Sequence, residues 1–214
     1  EIFKKLNQHG RLIVFDQDPD ARKNAWEAPN FSFIAANFAY IANHLRLMGL
    51  DKVDGVLADL GVSSHQFDEQ ERGFSIRGEA SLDMRMNQSG ELTAADVIND
   101  YDENALLYMF RNYGEIPNAR RLVNAIVSAR LNGKIKTTQK LLDVVTPCAP
   151  KFKEHKYFAQ VFQAVRIEVN NEMGVLEDFL KATESVLKPR GRLVVMSYHS
   201  LEDRMVKNYM KRGS

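Results

Sequence analysis

Apolar positions along the first sixty residues alternate between strand-like and helix-like spacing. Ile2, Phe3 and Leu6 recur at helical spacing, and His9-Gly10 closes that segment. Arg11 to Asp16 reads as a buried strand ending on an acid. Asp18-Pro19 then supplies an N-cap and a first-turn proline, which predict another helix. The unit repeats: Phe31 to Ala35 is a short strand, Tyr40 to Met48 a helix closed by Gly49, and Val53 to Asp59 a third strand. Strands alternating with helices at this spacing predict a parallel sheet covered on both faces.

After Asp59 the alternation stops. Residues from about 65 to 155 show helical patterning with no convincing strand, which predicts an inserted helical subdomain in an α/β, Rossmann-like fold. Its first part, Phe67 to Gly90, is rich in polar and turn residues; Ala94–Ile98, Ala105–Phe110, Ala119–Val127 and Thr138–Val145 read as helices, and Pro147 and Pro150 end the last. A long amphipathic stretch from Tyr157 to Leu187 leads through the turn Lys188-Pro189-Arg190-Gly191 into a strand, Arg192 to Ser197. The expected division is a sheet domain of residues 1–64 and 156–214 around a helical RNA-recognition insertion, 65–155.

With 214 residues, 44% hydrophobic and 27% charged, the chain can bury an ordinary core, and disordered and fibrous classes drop out. It contains no apolar run of about 18 residues, and its charged opening, Glu1 to Leu6, is unlike a signal peptide, so a cytoplasmic protein is expected. The single Cys148 reads as core, and with no recurring His/Cys/acid spacing no metal site is expected. The net charge of +1 conceals an asymmetry. Arg111, Arg120, Arg121, Arg130, Lys134, Lys136, Lys140, Lys151, Lys153 and Lys156 face only Glu115, Asp143 and Glu154 within one segment. That run is either a phosphate-contacting surface or a solvated helix face.

Ligands of open parallel sheets gather at the carboxyl ends of the strands. Asp16 stands at such an end, where a carboxylate can accept from both ribose hydroxyls of an adenosine; the alternative is a helix N-cap or turn acid, a task that Asp18 already fits. Phe38 follows the next strand and suits either an adenine face or the core. Asp59-Leu60-Gly61-Val62-Ser63-Ser64 brings a carboxylate and a Gly/Ser loop to the same edge, where the alternative is a tight βα turn with a capping serine. Ser197 to Arg204 ends the last strand with a polar cluster in which Ser200 and Asp203 have capping-box spacing; His199 is either an acid or base or a satisfied structural group.

Seven blocks in order resemble the bacterial 16S ribosomal RNA cytosine-N4 methyltransferases: Phe15 to Ala21, Asp59 to Gln66, Glu71 to Ser75, Leu82 to Met86, Tyr113 to Glu115, Phe162 to Asn170, and Ser197 to Arg204. The resemblance implies a Rossmann-like methyltransferase that uses S-adenosylmethionine, held at Asp16, Phe38, Asp59 and Gln66. Asp59, Ser63 and His199 are the expected catalytic residues; Arg72, Phe74, Arg85, Arg120, Arg121 and Arg166 are expected to bind substrate. The expected partner is 16S ribosomal RNA or the small subunit, with a homodimer left open and no membrane. The family's glycine-rich loop before the first helix and its final strands are not in this sequence, so the chain is expected to be incomplete at both ends. The alternative is a non-catalytic RNA- or ribosome-binding module on the same fold.

Overall fold

A computed structural model describes residues 2–63, 65–66 and 69–212. Ser64 of the Gly/Ser loop and Phe67 therefore lie outside the described residues. The chain divides into two compact units, one of residues 1–61 and 173–214, the other of residues 62–172.

The first unit holds the sheet strands. After the short helix α1 (Ile2–Lys5), β1 (Leu12–Phe15) pairs in parallel with β2 (Phe31–Ile34). Between them lies a 3-10 turn, Pro19–Asn24, in place of the predicted α-helix; Asp18 caps it by accepting from Asp20 N at 3.0 Å. A second 3-10 turn, Phe38–Tyr40, leads into α2 (Ile41–Leu47). β3 (Val53–Asp59) then pairs in parallel with β4 (Leu187–Met196). Ile41 and Leu45 of α2 pack with Leu60 and with Leu176, Phe179, Leu180 and Val186 to form the core beside these strands.

The predicted Lys188–Gly191 turn lies inside β4 as an irregularity. Val53 pairs with Leu187 and Gly55 already with Arg192, so the intervening residues loop out of register. Arg190 takes φ +69°, and a Cβ at Gly191 would lie 2.9 Å from Lys188 O. The turn chemistry was real, but pairing resumes on both sides of it.

The second unit is helical: α3 (Ala94–Asp100), α4 (Glu103–Asn112), α5 (Ala119–Leu131), α6 (Thr138–Val145) and α7 (Glu154–Asn170). Thr93 and Asp96 form a full capping box on α3, while Asp102 caps α4 and Thr137 caps α6. The inward faces, including Leu106, Phe110, Leu122, Ile126, Leu141, Val161 and Val165, share one buried core. The long amphipathic stretch from Tyr157 to Leu187 holds parts of two helices. Asn171 adopts the left-handed region, φ 48° and ψ 40°, and its N–H closes on Glu168 O and Ile167 O; α8 (Glu172–Val186) starts after it. Consequently α7, which periodicity joined to the sheet domain, belongs to the helical unit.

The polar stretch before α3 is packed rather than loose. Phe74, Leu82, Met84 and Met86 are buried in the helical core. Asn170 of α7 fastens them: its Nδ2 donates to Met84 O at 2.8 Å, and its Oδ1 accepts from Met86 N at 2.7 Å. Gly73 has φ +74°, and a Cβ there would lie 2.3 Å from Ser81 O, so no side chain fits. No described helix is long and apolar enough to cross a membrane.

Candidate active site

In the sheet unit, β3 and β4 are parallel neighbours, so their last residues emerge side by side. Asp59 ends β3 opposite Met196, and two residues later the Tyr198 hydroxyl donates to Asp59 Oδ1 at 2.7 Å. Both residues are exposed. The hydrogen bond and the charge of that carboxylate push the Tyr198 phenol above its ordinary value, so it stays protonated and remains a donor. Gly61, at φ +84°, lies beside the ring: a Cβ there would sit 3.6 Å from Tyr198 Cδ2.

The backbone behind Tyr198 is fixed by Glu202, whose Oε2 accepts from Tyr198 N at 2.9 Å. His199 Nε2 lies 3.2 Å from Glu202 Oε1, with both side chains over nine-tenths buried. Thus His199 faces the acid that anchors the loop. The following helix, α9, runs from Ser200 to Arg212. Glu202, not Asp203, reaches back to a backbone N–H; Asp203 instead pairs with Lys207 at 2.7 Å.

At the other strand ends, Asp16 follows β1 and its Oδ1 accepts from Asp18 N at 2.8 Å, which orders the turn while leaving Asp18 as the helix cap. Asn37 ties the two turns together: its Nδ2 donates to Gln17 Oε1 at 3.0 Å, and its Oδ1 caps the turn carrying Phe38. The half-buried Phe38 ring meets Phe179 of α8 edge to face, centroids 5.1 Å apart. Core packing thus accounts for part of its surface and leaves part accessible.

Ser63 and Gln66, in the helical unit, cap one another. Ser63 N donates to Gln66 Oε1 at 3.1 Å, and Gln66 N to Ser63 Oγ at 3.2 Å, with Gln66 buried. Among the expected substrate residues, Arg72 is buried and donates to Arg85 O and Met86 O at 2.8 and 3.0 Å, its guanidinium 5.6 Å from the Phe74 ring centroid. Phe74 is core. Arg85 grips Asp83 through two bonds of 2.9 and 2.7 Å and also donates to Gly90 O. Arg166 forms a bidentate pair with Glu172 at 2.7 and 3.0 Å. Arg120 and Arg121 are exposed, Arg121 donating to Pro147 O at 2.6 Å.

A family model described as the MraW methylase family matches residues 1–214. The chain belongs to that family. Among its relatives, a protein of Cytophaga hutchinsonii named ribosomal RNA small subunit methyltransferase H is 54% identical over 215 aligned residues, covering all of this chain and 72% of the relative. Proteins of the same name from Bacteroides thetaiotaomicron and Christiangramia forsetii are 52% and 53% identical, again over the whole chain and 70% of each relative. As a MraW methylase, the chain has an α/β unit in which Asp59 and Met196 end two adjacent parallel strands. Tyr198 and Asn37 are functional candidates that sequence reading passed over. Tyr198 was visible only as one letter of a polar block, since its meeting with Asp59 depends on β4 lying next to β3. Asn37 carried the Asx-turn signal of an Asn just after a strand.

Proposed function

We propose that this MraW methylase transfers a methyl group from S-adenosylmethionine to N4 of a cytidine in 16S ribosomal RNA of the small subunit, acting in the cytoplasm. The observation that carries this reading is an exposed carboxylate, Asp59, oriented by the Tyr198 hydroxyl at the carboxyl ends of two adjacent parallel strands.

Bound adenosylmethionine supplies an electrophilic methyl group. The sheet unit has side chains that fit it: Asp16 offers a carboxylate to ribose hydroxyls, and Phe38 a partly open ring to the adenine. A cytosine amine is a weak nucleophile because its lone pair is delocalised into the ring. Tyr198 occupies one Asp59 oxygen, which leaves the other to accept from the amine and hold its lone pair in line. The amine proton is then lost to solvent or to Asp59. His199, turned onto Glu202, positions the Tyr198 backbone rather than reaching the amine itself. Ser63, with its Oγ held by Gln66 N, shapes the loop after Asp59. The target base must be unpaired or extruded to arrive there.

In the helical unit, Arg120 and Arg121 are the expected substrate residues that remain available to RNA phosphates. Arg72, Arg85 and Arg166 build the unit from within. The test is calorimetric titration of the full-length protein with adenosylmethionine, together with mass mapping of 16S RNA from cells with and without the gene. Cofactor binding and loss of one methylated cytidine are expected. No cofactor binding, or unchanged RNA methylation, would sink the enzyme reading in favour of a binding module.

A further inference from the structure

Between α6 and α7 the chain makes a tight turn, Pro150-Lys151-Phe152-Lys153, closed by Lys153 N donating to Pro150 O at 3.1 Å. Phe152 occupies its third position with φ +64°, a conformation that this turn type ordinarily gives to glycine or asparagine. A buried side chain can repay such strain, as at Met84, which has φ +60° and is fully buried. Phe152 does the opposite. It is 97% exposed, more than any other large apolar side chain among the described residues. The turn is held from below, since Phe152 N donates to Glu154 Oε1 at 3.1 Å and Tyr157, the first buried residue of α7, anchors the helix. Lys151 and Lys153 flank Phe152 in the chain and, like Lys156, are exposed, and Arg121 reaches the same connection through Pro147 O.

An aromatic ring held out on a braced turn among cations has the chemistry that unpaired RNA recognises: a face for a base to stack on and charges for the adjoining phosphates. We propose that the Lys151-Phe152-Lys153 tip is a stacking finger that binds an unpaired stretch of the RNA substrate. This rests on the RNA-methylating function proposed above. It assigns the ring a role in affinity rather than in methyl transfer, and because the ring buries nothing, truncating it leaves the fold intact.

The test is fluorescence anisotropy of a labelled, unstructured RNA oligonucleotide titrated with the full-length protein over a range of salt. Phe152→Ala should weaken binding about tenfold with an unchanged salt slope, while Phe152→Trp should restore affinity and show quenched fluorescence on RNA binding. Lys151→Gln with Lys153→Gln should lower the slope of log affinity against log salt by about 1.4, from two single-strand phosphate contacts. Adenosylmethionine affinity and thermal transition should match the parent in every variant. Parental RNA affinity in Phe152→Ala would overturn the finger while leaving the methyltransferase reading standing. If that variant bound naked RNA normally but assembled subunits weakly, the tip would be a protein contact instead. A parent that binds neither RNA nor cofactor would overturn both readings.

Discussion

Tyr198 donates to Asp59 across the ends of two parallel strands, a contact between residues 139 positions apart. Tyr198→Phe keeps the ring beside Gly61 and removes only the bond. Because both side chains are exposed, the thermal transition should not move, whereas kcat for methyl transfer should fall roughly tenfold. Asp59→Ala should abolish transfer with the fold intact. Turnover of the Phe variant equal to the parent would show that the carboxylate needs no orienting partner.

The Arg166–Glu172 pair joins the end of α7 to the start of α8 with both side chains mostly buried. Glu172→Gln leaves a guanidinium without its counter-charge and should cost about 2–3 kcal/mol in urea unfolding. Replacing both residues with Met should cost less than that single change. A double variant worse than Glu172→Gln would mean the pair contributes net stability.

Burial alone would raise the Asp83 carboxyl, but the hydrogen bonds and charge of Arg85 more than offset it and hold the group below its ordinary 3.8. A depressed folded value gives stability that is present above the unfolded value and is lost as pH falls through the folded one. Thermal melts should therefore fall away on acidification below about pH 4. Asp83→Asn should be less stable at neutral pH and lose less on acidification. Parallel pH profiles for the two proteins would exclude this carboxylate as a source of acid sensitivity.

Tyr101, half-buried and donating to Glu168 Oε1 at 2.9 Å, is pushed up to about 12, by burial first and then by that bond. The raised value means stability is full below the unfolded value near 10 and is lost as pH rises toward 12. Alkaline unfolding followed by tyrosinate absorbance should shift to higher pH in Tyr101→Phe. No shift would place the alkaline weakness elsewhere.

Gly73→Ala sets a methyl group against Ser81 O in a backbone region that L-residues avoid. A loss of at least ~3 kcal/mol is expected. Circular dichroism melts would measure it, and a near-parental midpoint would show that the segment yields easily.

Much of this was readable from the chain. β3 begins and ends where the pattern of Val53 to Asp59 placed it, and α6 spans Thr138–Val145 as its periodicity predicted, with Leu141, Leu142 and Val145 buried. Asp18 took the capping task that its place before Pro19 predicted. What escaped were relations between distant segments. Nothing local in Arg72 distinguishes a guanidinium that faces RNA from one that donates to Arg85 O and Met86 O, and Phe74 looked like part of a polar loop until Asn170 was seen to draw its neighbours inward. The break between α7 and α8 rests on one asparagine in a left-handed conformation, which periodicity averages away.

The inward guanidinium of Arg72 also bears on how the protein would behave on an immobilised polyanion such as heparin. An arginine committed to backbone carbonyls inside the unit adds to the formal charge but contributes little to retention at the column surface. Retention should respond to exposed bases such as Arg120, Lys151 and Lys153, and change with Arg72 only when the unit unfolds. The elution salt of single-charge variants thereby sorts cations that face outward from cations that build the protein.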